Sequence, residues 1–134
     1  MILGLGCDIV QTSRFSKGET FLNRFIKKHF TLNEIKDIEK RKENILEENL
    51  ILSVATRFAA KEAVSKALGS GFQGGITLKD IEITHDELGC PHVTLYRNAL
   101  SRAYLISKNT KFNMHITLSN EREYVNAVAV IECI

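Results

Sequence analysis

Asp8 and Glu62 are the residues whose surroundings suit chemistry. Asp8 lies in Met1-Ile2-Leu3-Gly4-Leu5-Gly6-Cys7-Asp8-Ile9-Val10, and Glu62 in Arg57-Phe58-Ala59-Ala60-Lys61-Glu62-Ala63-Val64-Ser65-Lys66-Ala67-Leu68. Arg57, Lys61 and Lys66 outnumber Glu62 within ten residues. Partly buried charges must be paired or must meet a ligand, because an uncompensated buried ion is costly. Carboxylates on a rigid strand and a rigid helix, with cations beside the second, are the ingredients of a divalent-metal and polyphosphate site. Hard oxygen donors suit Mg²⁺, which takes one or two protein carboxylates and completes its shell with waters and phosphates. The plainer readings are an exposed Glu62–Lys66 pair, worth about 0.3–0.5 kcal/mol, and Asp8 as a strand-end turn residue.

Two elements must position these groups. The alanines, lysines, glutamate and leucine of residues 57–68 favour helix, Glu47-Glu48 suits the N-terminal dipole, and Gly69 stands where a helix end accepts positive φ. Ala59, Ala63 and Ala67 form a stripe that lets another backbone approach closely. In the N-terminal strand, alternation sends Leu3, Leu5, Cys7 and Ile9 one way, read as the core face, and Gly4, Gly6 and Asp8 the other. Glycines in a strand mark a bulge or a close approach by a ligand or another backbone.

Composition excludes several classes. A length of 134 residues, 44% hydrophobic and 25% charged, suits one globular domain spanning 1–134. No apolar run approaches the roughly 18 residues of a membrane span, and no signal-peptide pattern is present, so a cytoplasmic protein is expected. Cys7, Cys90 and Cys133 are odd in number and far apart, unlike a zinc ribbon or disulfide scaffold.

The rest of the chain reads mostly as structure. After Thr12-Ser13, a plausible cap, the stripe Arg14, Lys17, Phe21, Arg24, Lys28 forms a basic helix face opposite Phe15, Leu22, Phe25 and Ile26, although Gly18 weakens the helix. Such a stripe is either a solvated face or a docking surface for an acidic partner. Thr31-Leu32-Asn33-Glu34 is a capping box opening a helix towards Arg41. Lys40, Arg41 and Lys42 read as a solvated loop. The glycines between Gly69 and Gly75 end a helix rather than begin one, and no Gly-Lys-Ser/Thr follows, so this is a turn and not a Walker loop. Strands are expected at Ile81–Thr84 and His92–Tyr96 around an Asp86–Gly89 turn, a helix at Asn98–Ser107, and a hairpin of Phe112–Ser119 with Tyr124–Glu132. That order predicts an α+β fold with a mostly antiparallel sheet packed on a long central helix.

Gly4-Leu5-Gly6-Cys7-Asp8-Ile9-Val10, followed about fifty residues later by Arg57 to Gly71, resembles the holo-[acyl-carrier-protein] synthase family. This is the small, single-domain type of 4′-phosphopantetheinyl transferase. The resemblance extends into Asp80–Ile83, Asp86–Pro91 and Met114–Ser119, and is vaguest near residues 36–52. It implies transfer of the 4′-phosphopantetheine arm of coenzyme A to a serine of an apo acyl carrier protein, with release of 3′,5′-ADP. It also implies catalytic roles for Asp8, Glu62 and Lys66, with Asp8 and Glu62 holding Mg²⁺, or Mn²⁺ in its place. Coenzyme A phosphates would meet Arg57, Lys61, Lys66 and His115. The acidic carrier would dock on Arg14, Lys17, Phe21, Arg24 and Lys28, and Lys40 to Lys42 offer a lesser candidate for the 3′-phosphate. Members of the family are trimers with active sites between subunits. Cys90 stands where the family often has lysine, and Asn120 where many members have histidine. The group that takes the serine proton stays open among Glu62, Asp8 and a metal-held water.

Two other classes compete. A Mg²⁺-dependent hydrolase of coenzyme A or nucleotides would use the same carboxylates without a carrier. A basic nucleic-acid-binding module would want aromatics interleaved with cations and a larger excess than the net +2 found here.

Overall fold

The computed structural model describes residues 1–134. Five strands and four α-helices run in the order β1 (Ile2–Gln11), α1 (Glu19–His29), α2 (Leu32–Lys40), α3 (Glu47–Ala67), β2 (Ile81–His85), β3 (Pro91–Leu95), α4 (Arg97–Ile106), β4 (Phe112–Asn120) and β5 (Tyr124–Cys133). Short 3₁₀ turns precede α1 and β2. One antiparallel sheet has the order β1-β5-β4, and β2 and β3 form a separate antiparallel pair. The α+β reading with a long central helix holds.

Helix α3 is buried on nearly every side, Val54, Ala55, Ala59, Ala60, Ala63 and Val64 being fully enclosed. A helix enclosed all round should be apolar, so Arg57 and Lys61 require buried counter-charges. Its outward neighbours are β1 and β5, whose Val10, Val125, Ala127, Ala129 and Ile131 face it from the sheet. Phe15, Phe25 and Phe58 make edge-to-face contacts 5.2–6.0 Å apart between centroids and seat α1 on α3.

The facing of β1 is the reverse of the expectation. Leu5 and Ile9 are each 67% exposed and Cys7 is exposed, while Gly6 and Val10 are buried and Asp8 is partly so. The physical reason is close approach. A Cβ on Gly6 would lie 1.9 Å from the Ala63 carbonyl oxygen, and one on Gly4 would lie 1.9 Å from that of Ala67. The bare face is therefore the inner one, laid directly against the alanine stripe of α3. A register shift between Ile2 and Gly4 marks the bulge at its start.

The basic stripe is also broken. The 3₁₀ turn Thr12–Phe15 and helix α1 are separated at Gly18, whose φ is +95°. Positive φ there is inexpensive only for glycine. The capping box at Thr31 is present in full, with Thr31 and Glu34 each bonding the other's backbone N–H.

Candidate functional site

The alanine-to-glycine contact of α3 with β1 sets the position of Asp8. Two residues beyond Gly6 on the same face, its carboxylate accepts a 2.9 Å hydrogen bond from Lys66 Nζ. Lys66 Nζ also donates to the Cys7 carbonyl oxygen at 3.0 Å. Glu62, one helical turn before Lys66, faces the same group. Burial and the Asp8 charge push its carboxyl above the usual glutamate range, against the pull of Lys66 and Arg14. Lys66 is pushed up, first by its hydrogen bond to Asp8, and Glu62 adds to the effect. Arg14 completes the rim, its guanidinium 4.7 Å from the centre of the Phe58 ring.

Asp8, Glu62, Lys66 and Arg14 thus stand together as sequence reasoning expects of the first three. The cluster is open: the Lys66 side chain is 48% exposed against 15% for Asp8. Two mutually repelling carboxylates, all-oxygen donors with one open side, fit a hard divalent cation of the Mg²⁺ type.

Arg57 and Lys61, expected to contact coenzyme A, do not join this cluster; both are buried in contacts within the chain. Lys61 is fully buried. All three of its ammonium protons are used, towards Glu34 Oε1 at 2.8 Å, the Leu78 carbonyl at 2.8 Å and the Ile81 carbonyl at 2.7 Å. Nothing remains for a phosphate. Burial pulls the Lys61 ammonium below the usual lysine range, the neighbouring Glu34 resisting. Arg57, 1% exposed, holds Asp37 Oδ2 at 2.7 Å and Glu43 Oε1 at 3.1 Å and donates to Ser53 Oγ. His85 Nδ1 lies 2.8 Å from the same Asp37 oxygen. Burial pushes the Asp37 carboxyl up, but the His85 and Arg57 hydrogen bonds win and leave it below the usual range.

Sequence reasoning missed the carboxylates that satisfy these cations. Glu34 closes the capping box, accepts from Thr31 N–H, and receives the Ile83 backbone N–H at 3.0 Å on its other oxygen. Asp37 lies three residues on, hence on the same helical face. That spacing, set against two unpaired cations four apart on α3, was the available signal.

His115 lies across the sheet from the cluster. It pairs with Val130 on the exposed face of β4 and β5, whereas Asp8 pairs with Ala127 on the inner face. Its Nε2 is 2.8 Å from Glu132 Oε1. Within one chain it cannot reach Lys66. Of the carrier-docking residues, Arg14, Lys17, Arg24 and Lys28 are exposed, and Phe21 is half-buried with Lys17 Nζ 5.3 Å from its ring centre. Arg41 and Lys42 line a cavity of about 390 Å³ together with Thr56, Gly89, Pro91 and Thr117.

Residues 4–129 match the model of a family described as the 4′-phosphopantetheinyl transferase superfamily. The holo-[acyl-carrier-protein] synthase of Clostridium beijerinckii is 42% identical over 136 residues, covering 100% of each chain. A holo-[acyl-carrier-protein] synthase structure from Neisseria meningitidis superposes with a TM-score of 0.77 at 32% identity, over 98% of this chain and 99% of that one. One from Bacillus anthracis, solved in complex with CoA (3′,5′-ADP), superposes with a TM-score of 0.75 at 30% identity, over 100% and 99%.

Proposed function

The chain belongs to the 4′-phosphopantetheinyl transferase superfamily, and on that premise we propose that Asp8, Glu62 and Lys66 are the working centre of a holo-[acyl-carrier-protein] synthase. It moves the 4′-phosphopantetheine arm of coenzyme A onto a serine hydroxyl of an apo acyl carrier protein and releases 3′,5′-ADP. The observation that carries this assignment is the open rim where Asp8 and Glu62 repel one another beside a half-exposed lysine.

The reaction is attack of an alcohol on the β-phosphorus of a pyrophosphate. The serine must be aligned, its proton removed and the leaving phosphate's charge neutralised. Asp8 and Glu62 are the residues that would hold Mg²⁺, or Mn²⁺ in its place, and the cation would supply charge neutralisation at the pyrophosphate. Lys66 is the cation of α3 with a solvent-facing ammonium, so it is the one available to phosphate oxygens. Arg14 sits at the lip of the same cluster and adds positive charge on the side from which a carrier would enter. The serine proton has its candidate acceptors at this rim, Glu62, Asp8 or a water on the cation, each needing hydrogen-bond reach of the serine hydroxyl.

The remaining parts of the reading follow from surfaces. Leu5 and Ile9 on β1 stand exposed beside half-buried Val128 and Val130 of β5, an apolar sheet face with His115 at its margin. A second copy covering this face explains the exposure and brings His115 of one copy towards the rim of another. This supports a homotrimer with coenzyme A held between subunits. Arg14, Lys17, Arg24 and Lys28, around Phe21, would meet the acidic carrier. No helix is long and apolar enough to cross a membrane, and the three cysteines are free thiols, in keeping with a cytoplasmic setting.

The test is intact-mass spectrometry of an apo carrier incubated with the protein, coenzyme A and Mg²⁺. A mass gain of one phosphopantetheine arm is expected, lost with Glu62→Ala or a chelator. Cleavage of coenzyme A with an unmodified carrier would instead establish a hydrolase.

A further inference from the structure

The turn between β2 and β3 carries a group of side chains separate from the Asp8, Glu62 and Lys66 cluster. Asp86, Cys90 and His92 each place one donor atom within 4.8 Å of the other two, and no other three histidine, cysteine or acidic side chains in the chain converge as closely. The geometry is built by the backbone. Asp86 N–H donates to the Cys90 carbonyl, and Gly89, at φ +83°, closes the turn by donating to the Asp86 carbonyl, both at 3.0 Å. Asp86 Oδ1 accepts from the Leu88 and Cys90 N–H groups, each at 2.9 Å. These bonds hold the carboxylate so that its second oxygen, Oδ2, lies 2.9 Å from His92 Nε2. Cys90 and His92 are two apart, so they share one face where β3 begins.

We propose that Asp86, Cys90 and His92 form a Zn²⁺ site on this turn. One thiolate, one imidazole nitrogen and one carboxylate oxygen are the donor types that Zn²⁺ accepts in tetrahedral geometry, at about 2.3, 2.0 and 2.1 Å. Donors so bound stand roughly 3–4 Å apart. The three side chains therefore need only small rotations: His92 and Asp86 part slightly, and the Cys90 sulfur turns inward. All three are exposed, which leaves them free to rotate and leaves the fourth position open to solvent. The two amide bonds to Asp86 Oδ1 orient the ligating carboxylate, as outer-shell bonds do in metal sites. On binding, the Cys90 thiol gives its proton to solvent and its sulfur forms the metal bond; no electron is transferred. The donors also separate this site from Asp8 and Glu62, since oxygen-only ligands favour Mg²⁺ and a thiolate with imidazole favours Zn²⁺. Through Gly89 and Pro91 the turn borders the cavity lined by Arg41, Lys42 and Thr117. A bound ion would stiffen that wall.

The test is titration of the metal-free full-length protein with Zn²⁺ against a chromophoric chelator, with Mg²⁺ in excess to occupy the oxygen donors, and with Co²⁺ as a spectroscopic probe. One equivalent of Zn²⁺ is expected, and the Co²⁺ form should show a thiolate-to-cobalt charge-transfer band. Cys90→Ser should abolish the band, and His92→Gln should weaken Zn²⁺ binding at least about tenfold. Far-ultraviolet circular dichroism checks that these surface variants keep the fold. Unchanged Zn²⁺ affinity in both variants, a band that survives Cys90→Ser, or no binding by the unaltered protein would each overturn the assignment.

Discussion

Helix α3 carries two sets of ions, and they behave oppositely although their residue types are the same. On its buried side Arg57 and Lys61 meet Asp37, Glu43 and Glu34, and every proton of the Lys61 ammonium has an acceptor. On its rim Glu62 and Lys66 meet Asp8, where two acids compete beside one half-exposed lysine. The first set is enclosed: every Lys61 proton is spent, and only Arg57 Nε lacks a partner, at a side chain 1% exposed. The second leaves two carboxylates repelling one another on an open rim, a repulsion that an incoming cation relieves. What separates structural from functional charge on this helix is whether the charges are enclosed or open to solvent, and the rotation of about 100° from Lys61 to Glu62 decides it.

The sharpest break of that comparison is Lys61→Met. It leaves Glu34 without its counter-charge in the core and is expected to cost about 3–5 kcal/mol of stability, read by urea denaturation; an unchanged midpoint would make the buried set dispensable. Glu62→Gln should do the reverse. Carrier modification should fall on the order of a hundredfold or more while the urea midpoint barely moves. Gly6→Ala tests the contact that joins the two regions. Its Cβ would meet the Ala63 carbonyl oxygen at 1.9 Å, so a loss of about 1–3 kcal/mol and a fall in transfer rate are expected together, as Asp8 is pushed from Lys66. Stability lost with activity intact would show that Asp8 need not be held there.

Smaller effects should come from the surface and from pH. Arg24→Glu with Lys28→Glu should raise the KM for the carrier several-fold, with kcat little changed and the difference shrinking as salt is added. Glu62 titrates above its ordinary 4.5 because burial and Asp8 disfavour its charge. Its protonated form is therefore favoured by folding. The stability it contributes is complete below that value and is lost as pH rises through the raised one. Without divalent cations, Glu62→Gln should exceed the unaltered protein by a few tenths of a kcal/mol at neutral pH, solvent screening keeping the gain small. The gap should vanish below about pH 4.5. Thermal unfolding in chelator across that range measures it, and added Mg²⁺ should stabilise only the unaltered protein.

Local order was legible because it depends on neighbours in the chain. The alanine-rich run 57–68, the Thr31 capping box, the turn at Asp86–Gly89 and the two terminal strands all stand where propensity and alternation put them. The strand facing of β1 was not, since alternation gives two faces and does not say which is inner. A reader expects Leu5 and Ile9 inside; the Ala63 and Ala67 carbonyls can be approached only by a face without side chains, so the glycines go in and the leucine and isoleucine go out.

The chain alone determined that Asp8 and Glu62 sit on rigid elements beside an excess of cations, with Lys66 one turn from Glu62. Those are properties of residue type and helical period. Only tertiary structure decided which cations remain available. Lys61 and Lys66 are five residues apart with the same side chain, but Lys61 points towards Glu34 and Lys66 towards Asp8 and solvent. Their carboxylate partners come from residues up to 58 positions away, and no local pattern encodes which distant carboxylate a packed helix will meet.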